Sequence, residues 1–287
     1  MSINVCIFGV SGYTGSKLLY YLDKHPNVNV AGAFGDSSAG KTLGEVFPNL
    51  QNCSDIKITD FKKFNFNKID LIFSCLPHGK FQESVIKMLN PKIAIIDLSG
   101  DFRLDSKKDY ENFYNCIHKS MKLQNKFAYG LTEVNRENIK KSKFIANPGC
   151  YPTSILIPII PLLKEKSLKI DDFIIDSKSG VSGAGKKAIT QNLFSELSGN
   201  FFAYGINKHK HYPEIKQEID TINNKVSLTF TPHLLPVISG IQSTIYFEKK
   251  KKLSEYKNVL KEFYQNEYFI KILKDSDIPT LNNVKNS

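Results

Sequence analysis

Arginine is almost missing from this chain. Arg103 and Arg136 are the only two among 39 basic residues. The formal net charge of +11 would attract nucleic acid if it were concentrated on one face. Base readout and phosphate forks rely on arginine, however, and the lysines are scattered. That argues against a nucleic-acid partner, and the run Lys249–Lys252 is expected to cap a solvated loop. Long apolar runs are missing too. The longest, residues 154–163, holds two prolines and is half the roughly 20 residues of a membrane span, so no membrane association is expected. No basic region precedes the first apolar run, so the N-terminus does not read as a signal peptide. Cysteines number five, at positions 6, 53, 75, 116 and 150. An odd count without a secretion signal predicts a reduced, cytoplasmic protein. Internal repeats are absent.

What is present points to a folded α/β chain. With 41% hydrophobic residues over 287 positions, the expectation is about two domains. Residues 3–8 read as a short buried strand that runs into a glycine-rich loop. Residues 16–24 follow as a helix with Leu18, Leu19 and Leu22 on one face, and 28–34 as a second strand. Further strands at 69–74, 93–97 and 144–146, with a helix over about 80–89, predict a Rossmann-type, doubly wound parallel sheet. The later half has strands at 172–179, 226–235 and 241–247 and an amphipathic helix at 253–264. This texture predicts a second α+β domain with a mixed or antiparallel sheet. The boundary is expected at 149/150, giving a nucleotide domain 1–149 and a catalytic, substrate and dimerisation domain 150–287.

Four stretches could carry chemistry. Gly9-Val-Ser11-Gly12-Tyr13-Thr14-Gly15 lies between the first strand and first helix, where glycines let backbone approach a pyrophosphate facing a helix N-terminus. A tight structural turn is the alternative. At the end of the second strand, Asp36 argues for NAD, while Ser37, Ser38 and Lys41 argue for NADP. Cys150 follows Asn147-Pro148-Gly149 and precedes a helix-like run at 153–163, so its sulfur lies near a helix N-terminus that favours thiolate. Cys6 and Cys116 read as core cysteines. Cys75, at a strand end, reads as a cofactor-loop residue. His209 and His211, two apart in a segment read as extended, point the same way and suit general acid/base chemistry. Metal binding is disfavoured for want of Cys/His partners at ligand spacing, and solvated surface histidines are the plain alternative. Arg103, in Ser99-Gly-Asp101-Phe-Arg103, could fork a carboxylate or phosphate, or pair with Asp101 or Asp105.

Together these stretches resemble the N-acetyl-γ-glutamyl-phosphate reductases. The resemblance runs from Gly9–Gly15 through Ser38–Lys41, Cys75-Leu-Pro77-His78, Asp97–Leu104 and Tyr129–Glu133. It continues through Asn147-Pro-Gly-Cys-Tyr-Pro-Thr153, Ser179–Gly185 and His209-Lys-His-Tyr-Pro-Glu-Ile215. It implies NADPH-dependent reduction of an acyl phosphate through a thioester on Cys150, with His211 as acid/base. Ser99, Arg103 and His209 would bind substrate. Gly9, Ser11, Gly12, Tyr13, Thr14, Gly15, Ser37, Ser38, Cys75, Pro77, Ser182 and Gly183 would bind NADP, with NAD the alternative raised by Asp36. It further implies a homodimer or homotetramer. Family members continue past the stretch 279–287 with a strand and a helix, so a missing C-terminal segment is expected. Competing readings are the related reductases of aspartyl phosphate or carrier-linked aminoadipyl phosphate, and a non-catalytic nucleotide-binding protein.

Overall fold

The structure is a computed structural model that describes residues 2–86 and 92–284. Two compact units divide it, Met1–Gly130 with Glu137–Pro148, and Leu131–Arg136 with Gly149–Ser287.

The first unit runs β1 (Ile3–Phe8), α1 (Tyr13–Asp23), β2 (Val28–Phe34), α2 (Leu43–Val46), β3 (Ile58–Thr59), β4 (Leu71–Ser74) and β5 (Ala94–Asp97). It continues with α3 (Lys107–Tyr114), β6 (Phe127–Tyr129) and β7 (Phe144–Ala146); α4 (Thr132–Lys141) precedes β7 and has its first half in the second unit. Its seven strands are all parallel, in the order β3-β2-β1-β4-β5-β7-β6. The doubly wound sheet expected from the alternating pattern is therefore present. Alternate residues of β1 feed two cores. Val5 and Ile7 pack with Leu19, Leu22 and Val30, while Cys6 and Phe8 pack with Ile72, Phe81, Ile95 and Phe102. Burial pushes the Cys6 thiol up to about 12, as a core cysteine requires. Cys116 differs from the expectation. It is half-buried, and its thiol donates to the Tyr110 hydroxyl at 3.2 Å. The segment expected as a helix over 80–89 opens as a wide π-helical turn, Phe81–Val85, and residues 87–89 lie outside those described. The last three residues of the stretch 279–287 lie outside them as well.

Asp97 ends β5 fully buried. Its Oδ1 accepts the Ser99 N–H at 3.0 Å, but among the described residues Oδ2 has no partner, nor has the hydroxyl of Ser74, its register neighbour on β4. Burial first, and then the charge of Asp101, push the carboxyl up to about 6 despite the Ser99 bonds and the charge of Arg103. A carboxyl with a raised folded pKa binds its proton better folded than unfolded. Stability therefore falls as pH rises from about 4 through 6 and then levels off. Asp97→Asn keeps an acceptor for Ser99 and removes the buried charge. Thermal melts should show it more stable than wild type by on the order of 2 kcal/mol at pH 8, with the gain shrinking toward pH 4.

The second unit holds α5 (Cys150–Lys164), β8 (Asp172–Gly180), α6 (Phe194–Leu197), β9 (Phe202–Ala203), α7 (Tyr212–Asp220), β10 (Ser227–Leu235), β11 (Ile241–Tyr246) and α8 (Leu253–Phe263). Its sheet is mixed, in the order β11-β8-β10-β9. The strands β10 and β11, adjacent in sequence, do not pair. β8 lies between them, parallel to β10 and antiparallel to β11. One face of β8 buries Phe173, Ile175, Ser177 and Ser179, while the other carries the exposed Ile174 beside Tyr246. The helix α5 contains Pro158 and Pro161. Pro161 has no N–H for the carbonyl of Ile157 one turn back. The Tyr264 hydroxyl, just past α8, donates to that carbonyl instead at 2.5 Å.

Candidate active site

In the first unit the sheet's order reverses between β1 and β4, the switch point where open α/β sheets bind ligands beyond their strand ends. Gly9 leaves β1 at φ +77°, and a Cβ there would lie 2.6 Å from the carbonyl oxygen of Cys75. A Cβ on Gly15 would lie 2.3 Å from the Gly9 oxygen, so both positions demand glycine. Gly12, the N-cap of α1, is different. It has an ordinary extended backbone, and a Cβ would meet only the Gly9 oxygen, at 3.4 Å. No side chain caps α1, and no acidic residue lies in its first turn. A bare helix N-terminus behind a glycine that the protein itself does not require fits a pyrophosphate held by backbone N–H groups. Tyr13 and Thr14 are exposed on that first turn, and Ser11 is half-buried before it. Beyond β2, Asp36, Ser37 and Ser38 form one 3-10 turn, with Ser37 exposed.

Cys75 and Pro77 lie past β4, on the loop against Gly9. Burial, with the charge of Asp97, pushes the Cys75 thiol up to about 12, so it is protonated at neutral pH. The same loop is pinned by Asp101, which the sequence offers only as an ion-pair partner for Arg103. Its Oδ1 accepts the Gly79 N–H at 2.6 Å and the Tyr110 hydroxyl at 2.7 Å, and its Oδ2 accepts the Gln82 N–H at 3.1 Å. The Ser99 hydroxyl in turn accepts the Asp101 N–H. Arg103 is buried. Its Nε donates to the carbonyl of Asn147 at 2.7 Å and its Nη2 to that of Leu98 at 3.1 Å. It thereby ties the loop after β5 to the chain leaving β7.

The second unit contains the thiol. Cys150 is exposed and is the first residue of α5, three residues earlier than the sequence pattern placed the helix start. Gly149 is its N-cap, with φ −66° and ψ 158°, angles open to any residue. What requires glycine there is His211. A Cβ on Gly149 would lie 2.6 Å from Nε2, 2.8 Å from Cδ2 and 2.9 Å from Cε1 of that ring. The ring therefore rests on the backbone immediately before the thiol. The Gly149 N–H donates to Oε1 of Glu214 at 2.8 Å, and Glu214 is fully buried in the first turn of α7. Glu214 was part of a recognised stretch but had no assigned role. A first-turn acid after a proline was its signal, and that pattern usually marks an exposed charge on the helix dipole.

The histidine segment is a turn, not the extended strand expected, and His211 is the N-cap of α7 in αR conformation. The turn still brings the rings together, with centroids 4.9 Å apart. Tyr151, next to the thiol, packs edge-on against both rings at 5.3 and 5.9 Å, and its hydroxyl is 3.0 Å from that of Tyr204. Ser182 and Gly183 lie in the 3-10 turn Val181–Ala184 after β8, Ser182 half-buried and Gly183 exposed.

A parallel dinucleotide-type sheet, followed by a helix that opens on an exposed cysteine beside a buried histidine, is the arrangement of a dehydrogenase of the semialdehyde dehydrogenase class. Residues 4–142 match the model "Semialdehyde dehydrogenase, NAD binding domain", and residues 150–287 match "Semialdehyde dehydrogenase, dimerisation domain". A probable chloroplastic N-acetyl-gamma-glutamyl-phosphate reductase of Arabidopsis thaliana is 43% identical, covering 99% of this chain and 72% of the relative. The N-acetyl-gamma-glutamyl-phosphate reductase of Clostridium novyi is 40% identical over 95% of this chain and 81% of its own length. Among solved structures, aspartate semialdehyde dehydrogenase II of Vibrio cholerae superposes with a TM-score of 0.73 at 17% identity. It covers 98% of this chain and 84% of that one, a likeness of fold. The chain belongs to the N-acetyl-gamma-glutamyl-phosphate reductase family.

Proposed function

We propose that this protein reduces N-acetyl-L-glutamyl 5-phosphate to N-acetyl-L-glutamate 5-semialdehyde, releasing phosphate, in arginine biosynthesis. The names of its relatives support the substrate. The observation that carries the chemistry is the His211 ring seated on Gly149, one residue from the exposed Cys150. In this reading the Cys150 sulfur attacks the acyl carbon and phosphate leaves, giving a thioester. A dinucleotide held on the Gly9–Gly15 loop would supply the hydride this reduction needs. His211 gives a proton to the resulting oxygen and takes it back as the carbon–sulfur bond breaks, freeing aldehyde and thiolate. Ser99, Arg103 and His209 hold the substrate.

NADP is the cofactor in this reading, held by residues of domain 1–149 (Gly9, Ser11 to Gly15, Ser37, Ser38, Cys75 and Pro77) and by Ser182 and Gly183 of domain 150–287. Asp36 and Ser37 are both exposed on the turn after β2, Ser37 being the one that would meet a 2′-phosphate, and an aspartate semialdehyde dehydrogenase of like fold from Candida albicans has a crystal structure with NADP. The test is oxidation of NADPH and of NADH with the synthetic acyl phosphate. Phosphate-dependent reversal with the semialdehyde is expected, with the lower KM for NADPH. A lower KM for NADH would show that Asp36 controls the choice, and turnover only with aminoadipyl or aspartyl phosphate would overturn the substrate.

A cytoplasmic site of action goes with this reading and is checked by cell fractionation; among the described residues no helix is long and apolar enough to cross a membrane. A homodimer or homotetramer is also proposed, through the face of the second sheet that carries the exposed Ile174 and Tyr246. Light scattering should give a dimer or larger for wild type and a smaller species for Ile174→Asp. A monomeric wild type at micromolar concentration would sink the proposal.

A further inference from the structure

His209 lies in a ring of aromatic edges. Tyr151 is 5.3 Å away, Tyr204 5.4 Å and Phe230 5.6 Å, with His211 at 4.9 Å. Burial, helped by the charge of Lys210, holds its pKa down to about 4, so the ring is neutral at pH 7. A neutral imidazole has one hydrogen-bearing nitrogen and one acceptor. Nδ1 is the acceptor here, because the backbone N–H of His211 donates to it at 3.2 Å. The proton therefore belongs on Nε2. The N–H so held is that of the α7 N-cap residue, whose own ring rests on Gly149.

We propose that His209 is a positioning residue, Nε2-protonated, whose Nδ1 anchors the backbone of His211 and so aims the His211 ring at the turn that carries Cys150. The same tautomer leaves an N–H on Nε2 as the group with which His209 can donate to substrate. The inference rests on His211 being the acid/base, and the two can be tested apart.

Nitrogen-15 NMR of the histidine-labelled wild-type protein reads the tautomer without any assay, His209 being assigned by loss of its signals in a variant. A neutral Nε2–H ring at pH 7 is expected; an Nδ1–H ring or an imidazolium would overturn the proposal. Two variants then separate the nitrogens. Asparagine places an oxygen near the Nδ1 position, and glutamine places its amide near Nε2. His209→Asn should keep kcat within about threefold with an unchanged pH profile while KM rises, and His209→Gln should lower kcat by about tenfold or more. The reverse order would overturn the positioning role. His211→Asn with an undiminished kcat would remove the acid/base reading and leave the NMR result on His209 standing.

Discussion

Cys150→Ser should lower turnover by roughly 10³-fold or more while the fold and dinucleotide binding are kept. A hydroxyl in that place has no thiolate to offer, and three of the other four thiols are held protonated. Cys6 and Cys53 are buried with pKa values pushed up to about 12, and Cys75, on the loop after β4, is held as high. Cys150 is exposed at the first position of a fifteen-residue helix, where the dipole stabilises an anion and no acidic side chain opposes it in the first turn. Alkylation with iodoacetamide, read by mass spectrometry, should therefore label Cys150 well before these three. The assignment fails if Cys150→Ala keeps near wild-type activity while Cys75→Ala loses it.

Gly149→Ala should be nearly as damaging, through a neighbour and not through the backbone. At φ −66° and ψ 158° alanine is conformationally at ease. Its methyl would nevertheless stand 2.6 to 2.9 Å from three atoms of the His211 ring. That ring is buried, and its backbone is fixed at the N-cap of α7, so the imidazole must leave its place. The expected loss is the contribution of a general acid/base, about 10²–10⁴-fold in kcat, with a circular dichroism spectrum like wild type. Near wild-type kcat in a folded Gly149→Ala protein would show that His211 does not need this seat.

The sequence displayed the first unit because its strands are apolar runs bounded by glycine or proline. Residues 3–8 and 28–34 coincide with β1 and β2. The helices α3 and α4 escaped notice for the opposite reason. Thr132–Lys141 is mostly polar and buries no residue, so it has no apolar stripe to read, and in Lys107–Tyr114 the stripe is a single turn, Tyr110, Phe113 and Tyr114, too short to show a period. The two-residue strands β3 and β9 are too short to show any period. In the site, the cysteine, the histidine pair and the glycine loop were legible as residue types in sequence order. The turn at His209–His211 was not, because alternation of two histidines says nothing of φ and ψ. The loop-pinning part of Asp101 and the part of Glu214 at Gly149 are not legible, since an acid that satisfies backbone N–H groups from a distant segment has no local spacing to reveal it.

The bond from Tyr264 to the carbonyl of Ile157 also bears on how the chain is made. The two residues are 107 apart. Until Tyr264 arrives, the gap that Pro161 opens in the helix behind Cys150 has a carbonyl that only water can satisfy. On a ribosome, that helix can form as soon as it clears the exit tunnel, but it cannot be sealed until a hundred further residues have been added. In the nascent second unit that carbonyl is therefore left to solvent until Tyr264 emerges, and the bond forms late in the order of synthesis.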